Sequence, residues 1–246
     1  MLSPGCPGAI LVLVSLWVGS ASALARQDRT SRVTFQTPDG QTIVATMMEP
    51  SRRPAPAIIL VHMLGRSRKD WESAGARLAG EGFTTLAIDL RGHGESSPGG
   101  GGGGGDERAA LGAMVTDVRT AKRFLDTRAD VLPGRIGLMG ASLGATLVAL
   151  AAGDDATIRS IALLSPSMDY RGVRIDAAMK EYGKRQALFV ASRDDPYAWR
   201  SARELSKDAT GRETILLERA GHGSAMLAHD DSLIRTLVDW FRRTLL

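Results

Sequence analysis

Ser142 lies in the pentapeptide Gly-Ala-Ser-Leu-Gly at residues 140–144, between an apolar run at 135–139 and a helix-like run at 145–152. A serine hydroxyl is a poor nucleophile unless a base removes its proton, so it has to stand on a sharp strand-to-helix turn that a histidine can reach. Glycines at both ends of the pentapeptide permit such a crowded turn. The segment therefore predicts a nucleophile elbow with Ser142 as the nucleophile.

Two short apolar runs downstream of Ser142 each end in residues that could complete its chemistry. The run at 188–191 is followed by Asp194 and Asp195, and the run at 215–217 is followed by an Ala-Gly-His-Gly segment that contains His222. A histidine can take the proton of the serine, and a carboxylate can accept the Nδ1 proton of that histidine and fix its tautomer. We therefore predict His222 as the base and one of the two aspartates as the acid.

Two further segments lie upstream of the serine, each at the end of an apolar run. Residues 58–65 read Ile-Ile-Leu-Val-His-Met-Leu-Gly, and residues 89–96 read Asp-Leu-Arg-Gly-His-Gly-Glu-Ser. Together with the elbow and the late histidine, they resemble four ordered motifs of the α/β-hydrolase superfamily. The first is similar to its His-Gly-x-Gly oxyanion segment, with Met63 in place of the first glycine, and the second to its Asp-x-Arg-Gly-x-Gly-x-Ser loop. The resemblance covers residues from about 33 to 246.

This resemblance implies roles for individual residues. The backbone N–H groups of Leu64 and Leu143 would form the oxyanion hole. The usual spacing between strand and acid in the superfamily favours Asp195 over Asp194, although Asp195 before Pro196 is also the pattern of a helix start, with aspartate as N-cap and proline as the first helical residue.

The remaining histidines are not expected to act in catalysis. His62 and His93 lie in loop motifs whose histidines hold the loops through hydrogen bonds. His229 is the competing base, but it falls inside or at the start of the last predicted helix, with no strand directly before it. We expect it at the surface.

The implied activity is hydrolysis of a small carboxylic ester through an acyl-enzyme. The Asp-Asp-Pro loop and the short segment at 166–185 look most like the compact dienelactone-hydrolase-like esterases, whose named enzymes use cysteine where this chain has Ser142. An alternative is a serine aminopeptidase or acylglycerol lipase, which the loop at 89–96 resembles. A non-catalytic secreted binding protein on the same fold is the alternative from another class. Met168, Tyr170 and Trp199 either line the pocket or pack in the core.

The elements that would hold these residues follow an alternating pattern. Asp39 and Gly40 form a hairpin turn between alternating segments at 32–38 and 42–48. Apolar strands then alternate with helical patterns, which predicts parallel strands with helices on both faces, and functional loops at the carboxyl ends of those strands. The strands are expected at 57–61, 84–88, 135–139, 161–164, 187–191 and 214–217, and the helices at 70–80, near 107–125, from 142, at 197–208 and at 231–243. Residues 166–185 are expected to form a turn and one short cap helix, leaving a fairly open pocket.

Composition narrows the function further. A chain of 246 residues with 43% hydrophobic and 24% charged residues fits one globular domain, which we assign to residues 26–246. The net charge of +4 is spread along the chain rather than clustered, which argues against a nucleic-acid partner. Four histidines and a single cysteine, without ligand spacing, predict no metal. No cofactor is predicted.

The first 25 residues differ from the rest of the chain. They carry no charged side chain, and residues 9–18 form an apolar run of the length found in secretory signals, followed by small residues up to Ala25. We predict a signal peptide at 1–25 and export of the mature chain, with membrane attachment only if the segment is retained. Cys6 would be removed with it, so the mature chain would have neither a disulfide nor a thiol nucleophile. The seven glycines at 99–105 predict a flexible loop before a helix capped by Asp106.

Overall fold

The computed structural model describes Met1 and residues 29–96, 106–207 and 210–246. The predicted signal peptide, Met1 apart, and the glycine run at 99–105 lie outside the described residues.

Eight of the strands in the described residues build one central sheet, and two short ones form a separate hairpin. In chain order the strands are β1 (Arg29–Gln36), β2 (Thr42–Glu49), β3 (Ala55–Val61), β4 (Thr84–Ile88), β5 (Val131–Ala141), β6 (Ser160–Leu164), β7 (Asp169–Tyr170), β8 (Val173–Arg174), β9 (Gln186–Ser192) and β10 (Arg212–Leu217). The sheet order is β1-β2-β4-β3-β5-β6-β9-β10, with β1, β2 and β4 paired antiparallel and the rest parallel. The prediction of a mostly parallel α/β-hydrolase sheet with an antiparallel N-terminal hairpin is confirmed.

The helices of the described residues follow the strands as the alternation predicts. They are α1 (Glu72–Gly80), α2 (Glu107–Asp126), α3 (Leu143–Asp154), α4 (Asp176–Tyr182), α5 (Pro196–Ser206), α6 (Met226–His229) and α7 (Asp231–Leu245). Asp106 caps α2, as predicted, by accepting the N–H of Arg108 at 2.9 Å.

Three of the boundaries that differ from the predicted ones have local reasons. The helix expected at 70–80 begins as a 3₁₀ turn, Arg68–Trp71, because the side chain of Ser67 caps that turn. β5 starts four residues before the predicted strand, because Val131 pairs with Ala55 at the start of β3. His229 ends α6, a one-turn helix separate from α7, rather than lying in the last helix itself.

Apolar side chains of the sheet fill two layers. Ile59 and Leu138 are fully buried against the layer that contains α2, α3 and α5. Ile58 and Met139, their neighbours in sequence, are equally buried on the other face, among residues of α1 and α7. Helices therefore cover both faces, and this explains why the parallel strands read as continuous apolar runs in the sequence.

The segment at 166–185 forms the small hairpin β7–β8 followed by α4. Helix α4 packs on the flank of α3, where the Cβ of Ala178 would lie 3.0 Å from a Cβ at Gly153. Met179 and Tyr182 are buried there. None of the helices in the described part of the chain is long and apolar enough to cross a bilayer.

Candidate active site

Ser142 lies at the turn between β5 and α3, in a backbone conformation that few residues adopt. Its φ is 52° and its ψ is −111°. A positive φ is uncommon for residues other than glycine. A Cβ at Gly140 would lie 2.7 Å from the backbone nitrogen of Ala145, and closer still to the carbonyl group of Gly144. The two glycines therefore allow the strand and the helix to cross tightly enough to expose the serine.

Gly144 also fixes the oxyanion segment against this turn. A Cβ at Gly144 would lie 2.8 Å from the carbonyl oxygen of His62, and closer still to that of Val61. The backbone at the end of β3 consequently runs directly against the first turn of α3. This contact brings the segment that contains Leu64 beside the nucleophile elbow.

The predicted nucleophile, base and acid are joined by two hydrogen bonds. His222 Nε2 lies 2.8 Å from Ser142 Oγ, and His222 Nδ1 lies 2.6 Å from Asp195 Oδ2. The His222 side chain is 52% exposed and that of Asp195 is 14% exposed, so the imidazole faces solvent and the carboxylate is mostly buried. With Nδ1 protonated, Nε2 is free to accept the serine proton.

Asp195 both caps a helix and forms a hydrogen bond with His222. Its Oδ1 accepts the N–H of Ala198 at 3.3 Å and caps α5, in which Pro196 is the first residue. Its Oδ2 forms the hydrogen bond with His222 Nδ1. One carboxylate thus starts a helix with one oxygen and orients the histidine with the other. Asp194 instead accepts the N–H of Gly221, at 3.2 Å and 3.3 Å to its two oxygens.

The predicted oxyanion donors have N–H groups available. Leu143 is the first residue of α3, where the N–H has no partner within the helix. The N–H of Leu64 donates to no acceptor within the described residues. The side chain of Leu143 is buried, whereas Leu64 is 46% exposed beside the site.

His62 and His93 form hydrogen bonds within their loops. His62 is fully buried, its Nδ1 lies 2.8 Å from the carbonyl oxygen of Met63, and its Nε2 accepts the N–H of Leu90 at 3.1 Å. His93 Nδ1 lies 3.0 Å from the carbonyl oxygen of Arg91, and the two rings are 5.0 Å apart. Burial lowers the pKa of His62, which keeps the ring neutral.

The remaining candidates form none of the side-chain hydrogen bonds that join Ser142, His222 and Asp195. His229 is exposed. Met168 and Tyr170 pack against the core layer of α2, α3 and α5, and Trp199 lies 6.0 Å beneath the guanidinium of Arg193. Among the described residues, no group of three or more His, Cys, Asp or Glu is arranged to hold a metal ion.

Sequence reasoning missed the contacts that hold the loop of His222. Met63 lies against Gly223, where a Cβ would come 2.7 Å from its sulfur. Ser165, at a φ of 49°, accepts the N–H of Gly223 at 2.9 Å. The glycine after the histidine was the only signal in the sequence, and it does not reveal which side chains it meets.

The chain is similar to known proteins over most of its length. The family model described as serine aminopeptidase, S33, matches residues 52–223. A carboxymethylenebutenolidase from Pseudomonas putida is 25% identical over 213 residues, which span 80% of this chain and 86% of that protein.

Solved structures share the fold. The dienelactone hydrolase from Anabaena variabilis has a TM-score of 0.68 at 19% identity, covering 89% of this chain and all of that one (100%). The esterase Pf2001 from Pyrococcus furiosus has a TM-score of 0.71 at 16% identity, covering 89% of this chain and 92% of that one. At these identities the likeness establishes the fold.

The close approach at Gly144 predicts a large cost for adding one carbon. Gly144→Ala should lower the free energy of unfolding by about 3 kcal/mol, because backbone atoms on both sides would have to move. Gly112→Ala is the matched control: Gly112 lies in α2 with open space around it, and alanine there should stabilise by about 0.5–1 kcal/mol. Urea denaturation measures both, and equal stability of the two variants would contradict the packing argument.

The buried His62 predicts a dependence of stability on pH. Because its pKa is lowered in the folded protein, the unfolded chain binds a proton below about pH 6.5 that the folded chain does not bind. Stability should therefore fall as the pH drops from about 7.5 to 5.5. An asparagine at position 62 can still accept one hydrogen bond and donate another, as the neutral histidine does. His62→Asn should therefore flatten the slope of stability against pH, and the control His229→Asn should leave it unchanged. A slope in His62→Asn as steep as in the unmodified protein would rule out His62 as its source.

Proposed function

The chain belongs to the α/β-hydrolase family described as serine aminopeptidase, S33, and from that premise we propose that this hydrolase cleaves carboxylic esters through an acyl-enzyme on Ser142. The observation that carries the proposal is the continuous hydrogen-bonded line from Ser142 Oγ through His222 to Asp195, with distances of 2.8 Å and 2.6 Å. These are distances at which a proton can be transferred and an imidazolium stabilised.

In the proposed acylation, Ser142 Oγ attacks the ester carbonyl carbon while His222 Nε2 takes its proton. The carbonyl oxygen gains negative charge and accepts hydrogen bonds from the N–H groups of Leu64 and Leu143. Collapse of the tetrahedral intermediate breaks the bond to the alcohol oxygen, and His222 returns the proton to that oxygen. The products of this step are the free alcohol and an ester of Ser142.

Deacylation repeats the sequence with water as the nucleophile. His222 Nε2 takes a proton from the water, the resulting hydroxide attacks the acyl carbon, and Ser142 leaves with the proton restored. Asp195 does not gain a proton in either half. It stabilises the imidazolium by charge and keeps Nδ1 protonated. The N-terminus of α3 adds partial positive charge close to the oxyanion.

An ester substrate accords with a site that is partly exposed in the described residues. Half of the His222 side chain is exposed, and α4 packs on the flank of α3. Such a site can admit a small ester from bulk solvent. The relative named carboxymethylenebutenolidase and the neighbouring structures named esterase and dienelactone hydrolase support the same substrate class. The matching family model is described as serine aminopeptidase. An amide of an N-terminal amino acid is therefore the alternative substrate to test beside an ester.

Hydrolysis of a p-nitrophenyl ester series from acetate to laurate tests the proposal. We expect turnover by the unmodified protein, and a loss of at least about 10³-fold in Ser142→Ala, because removing the nucleophile leaves only binding and the oxyanion hole. Alanine p-nitroanilide, assayed in parallel, should be a much poorer substrate. Preferential cleavage of the anilide would replace the esterase with an aminopeptidase. Absence of turnover on both substrates, together with no labelling of Ser142 by a fluorophosphonate, would remove the proposal.

The two oxygens of Asp195 bind different groups, one the N–H of Ala198 and the other His222. We therefore expect substitutions to separate the capping of α5 from the effect on catalysis. Asp195→Asn keeps an oxygen for the N–H of Ala198 but loses the charge, so kcat should fall by about 10³–10⁴-fold with little change in stability. Asp195→Ala should lose as much activity and, in addition, about 1 kcal/mol of stability from the lost cap. Ester kinetics and thermal unfolding measure the two effects. Retention of activity within about threefold in Asp195→Asn would exclude this residue as the acid.

A further inference from the structure

The loop that contains His222 is held by side chains from other parts of the chain. The N–H of Ala220 donates to Ser192 Oγ at 2.8 Å, and the N–H of Gly221 donates to both oxygens of Asp194. On the other side of the histidine, Gly223 donates its N–H to Ser165. The backbone on both sides of the base is therefore fixed by hydrogen bonds, although the base itself is exposed.

Ser192 and Asp194 act together in this arrangement. Ser192 is fully buried, and its hydroxyl donates to Asp194 Oδ1 while its oxygen accepts the N–H of Ala220. A hydroxyl has one proton to donate, so the direction of this chain is set. The hydrogen bond from Ser192 lowers the pKa of Asp194, because the hydroxyl donates to the ionised carboxylate and stabilises it.

The hydrogen bond from Gly221 to Asp194 lies where the loop changes direction. Gly221 has a φ of 80°, and the backbone that follows it leads directly into His222. Asp194 is the residue before Asp195, which binds His222 Nδ1. The same short segment after β9 thus holds both the imidazole ring and the backbone turn that precedes it.

We propose that Asp194, together with Ser192, is a positioning residue that fixes the backbone turn before His222 relative to Asp195. This inference rests on the proposed ester hydrolysis. Asp194 does not touch the reacting atoms. Its effect is to keep the imidazole aligned with Ser142 Oγ and with the oxygen of the leaving alcohol, where a misplacement of about 1 Å can cost about 10²-fold in rate.

The leaving group of the ester distinguishes positioning from simple loss of folded protein. p-Nitrophenolate departs without protonation, whereas an ethoxide needs the proton from His222 Nε2. A displaced imidazole should therefore slow an ethyl ester more than a p-nitrophenyl ester of the same acid. A lower fraction of folded protein would slow both equally, and counting active sites by fluorophosphonate labelling corrects for it.

The test compares kcat/KM for p-nitrophenyl and ethyl esters of one acid in the full chain. For Asp194→Asn we expect a decrease of about 30-fold on the ethyl ester and about 3-fold on the p-nitrophenyl ester. Ser192→Ala should show the same pattern, and the double variant should lose no more than the worse single one. Glu218→Gln is the matched control, since it removes a neighbouring carboxylate whose one partner within the described residues is the exposed Arg193. Equal losses on the two esters, or behaviour like the control, would overturn the inference.

Hydrogen exchange of the peptide 218–226 provides a readout that does not require ester turnover. Exchange at Ala220 and Gly221 should be about tenfold faster in Asp194→Asn and Ser192→Ala than in the unmodified protein or Glu218→Gln. Unchanged exchange would reject the positioning role even if the protein is an esterase. Faster exchange in a protein that hydrolyses no ester would support the loop contact while removing the proposed function.

Discussion

The backbone crossing at Gly140 and Gly144 is the constraint on which the site depends. With no side chain at either position, β5 and α3 approach closely enough to hold Ser142 at a positive φ, and the carbonyl groups at the end of β3 pack against the first turn of α3. These close contacts determine where Ser142 points, where the N-terminus of α3 is directed and where the segment of Leu64 lies. The sheet core beneath it, buried on both faces, resists adjustment.

Neighbouring strand ends supply the other parts of the site. Ser142 follows β5, Asp195 follows β9 and His222 follows β10, while Ser165 follows β6, which lies between β5 and β9 in the sheet. Parallel pairing brings these loops to one edge of the sheet, although the residues lie far apart in sequence. The two adjacent aspartates bind different parts of the His222 loop. Asp195 binds the imidazole of His222, and Asp194 accepts the backbone N–H of Gly221.

Much of this was accessible from sequence because the signals are local. The alternation of apolar runs predicts the parallel sheet, and the ordered motifs predict Ser142 and His222 as partners, which the hydrogen bond between them satisfies. The usual spacing in the superfamily favours Asp195 over Asp194, but spacing does not show where the carboxylates of two adjacent residues point. The contacts of Met63 and Ser165 with Gly223 were beyond reach for another reason. They join segments whose relative positions depend on the packing of the whole sheet.

An exposed imidazole such as that of His222 requires rigidity from a source other than burial. The loop of His222 contains two glycines at positive φ, which by themselves would leave it free to move. Hydrogen bonds from its backbone to Ser192, Asp194 and Ser165 replace part of that freedom with fixed geometry. Because these acceptors lie at the ends of buried strands, the rigid packing of the core fixes the backbone of this surface loop. The site can thus remain open to solvent and still hold an imidazole within hydrogen-bonding distance of Ser142.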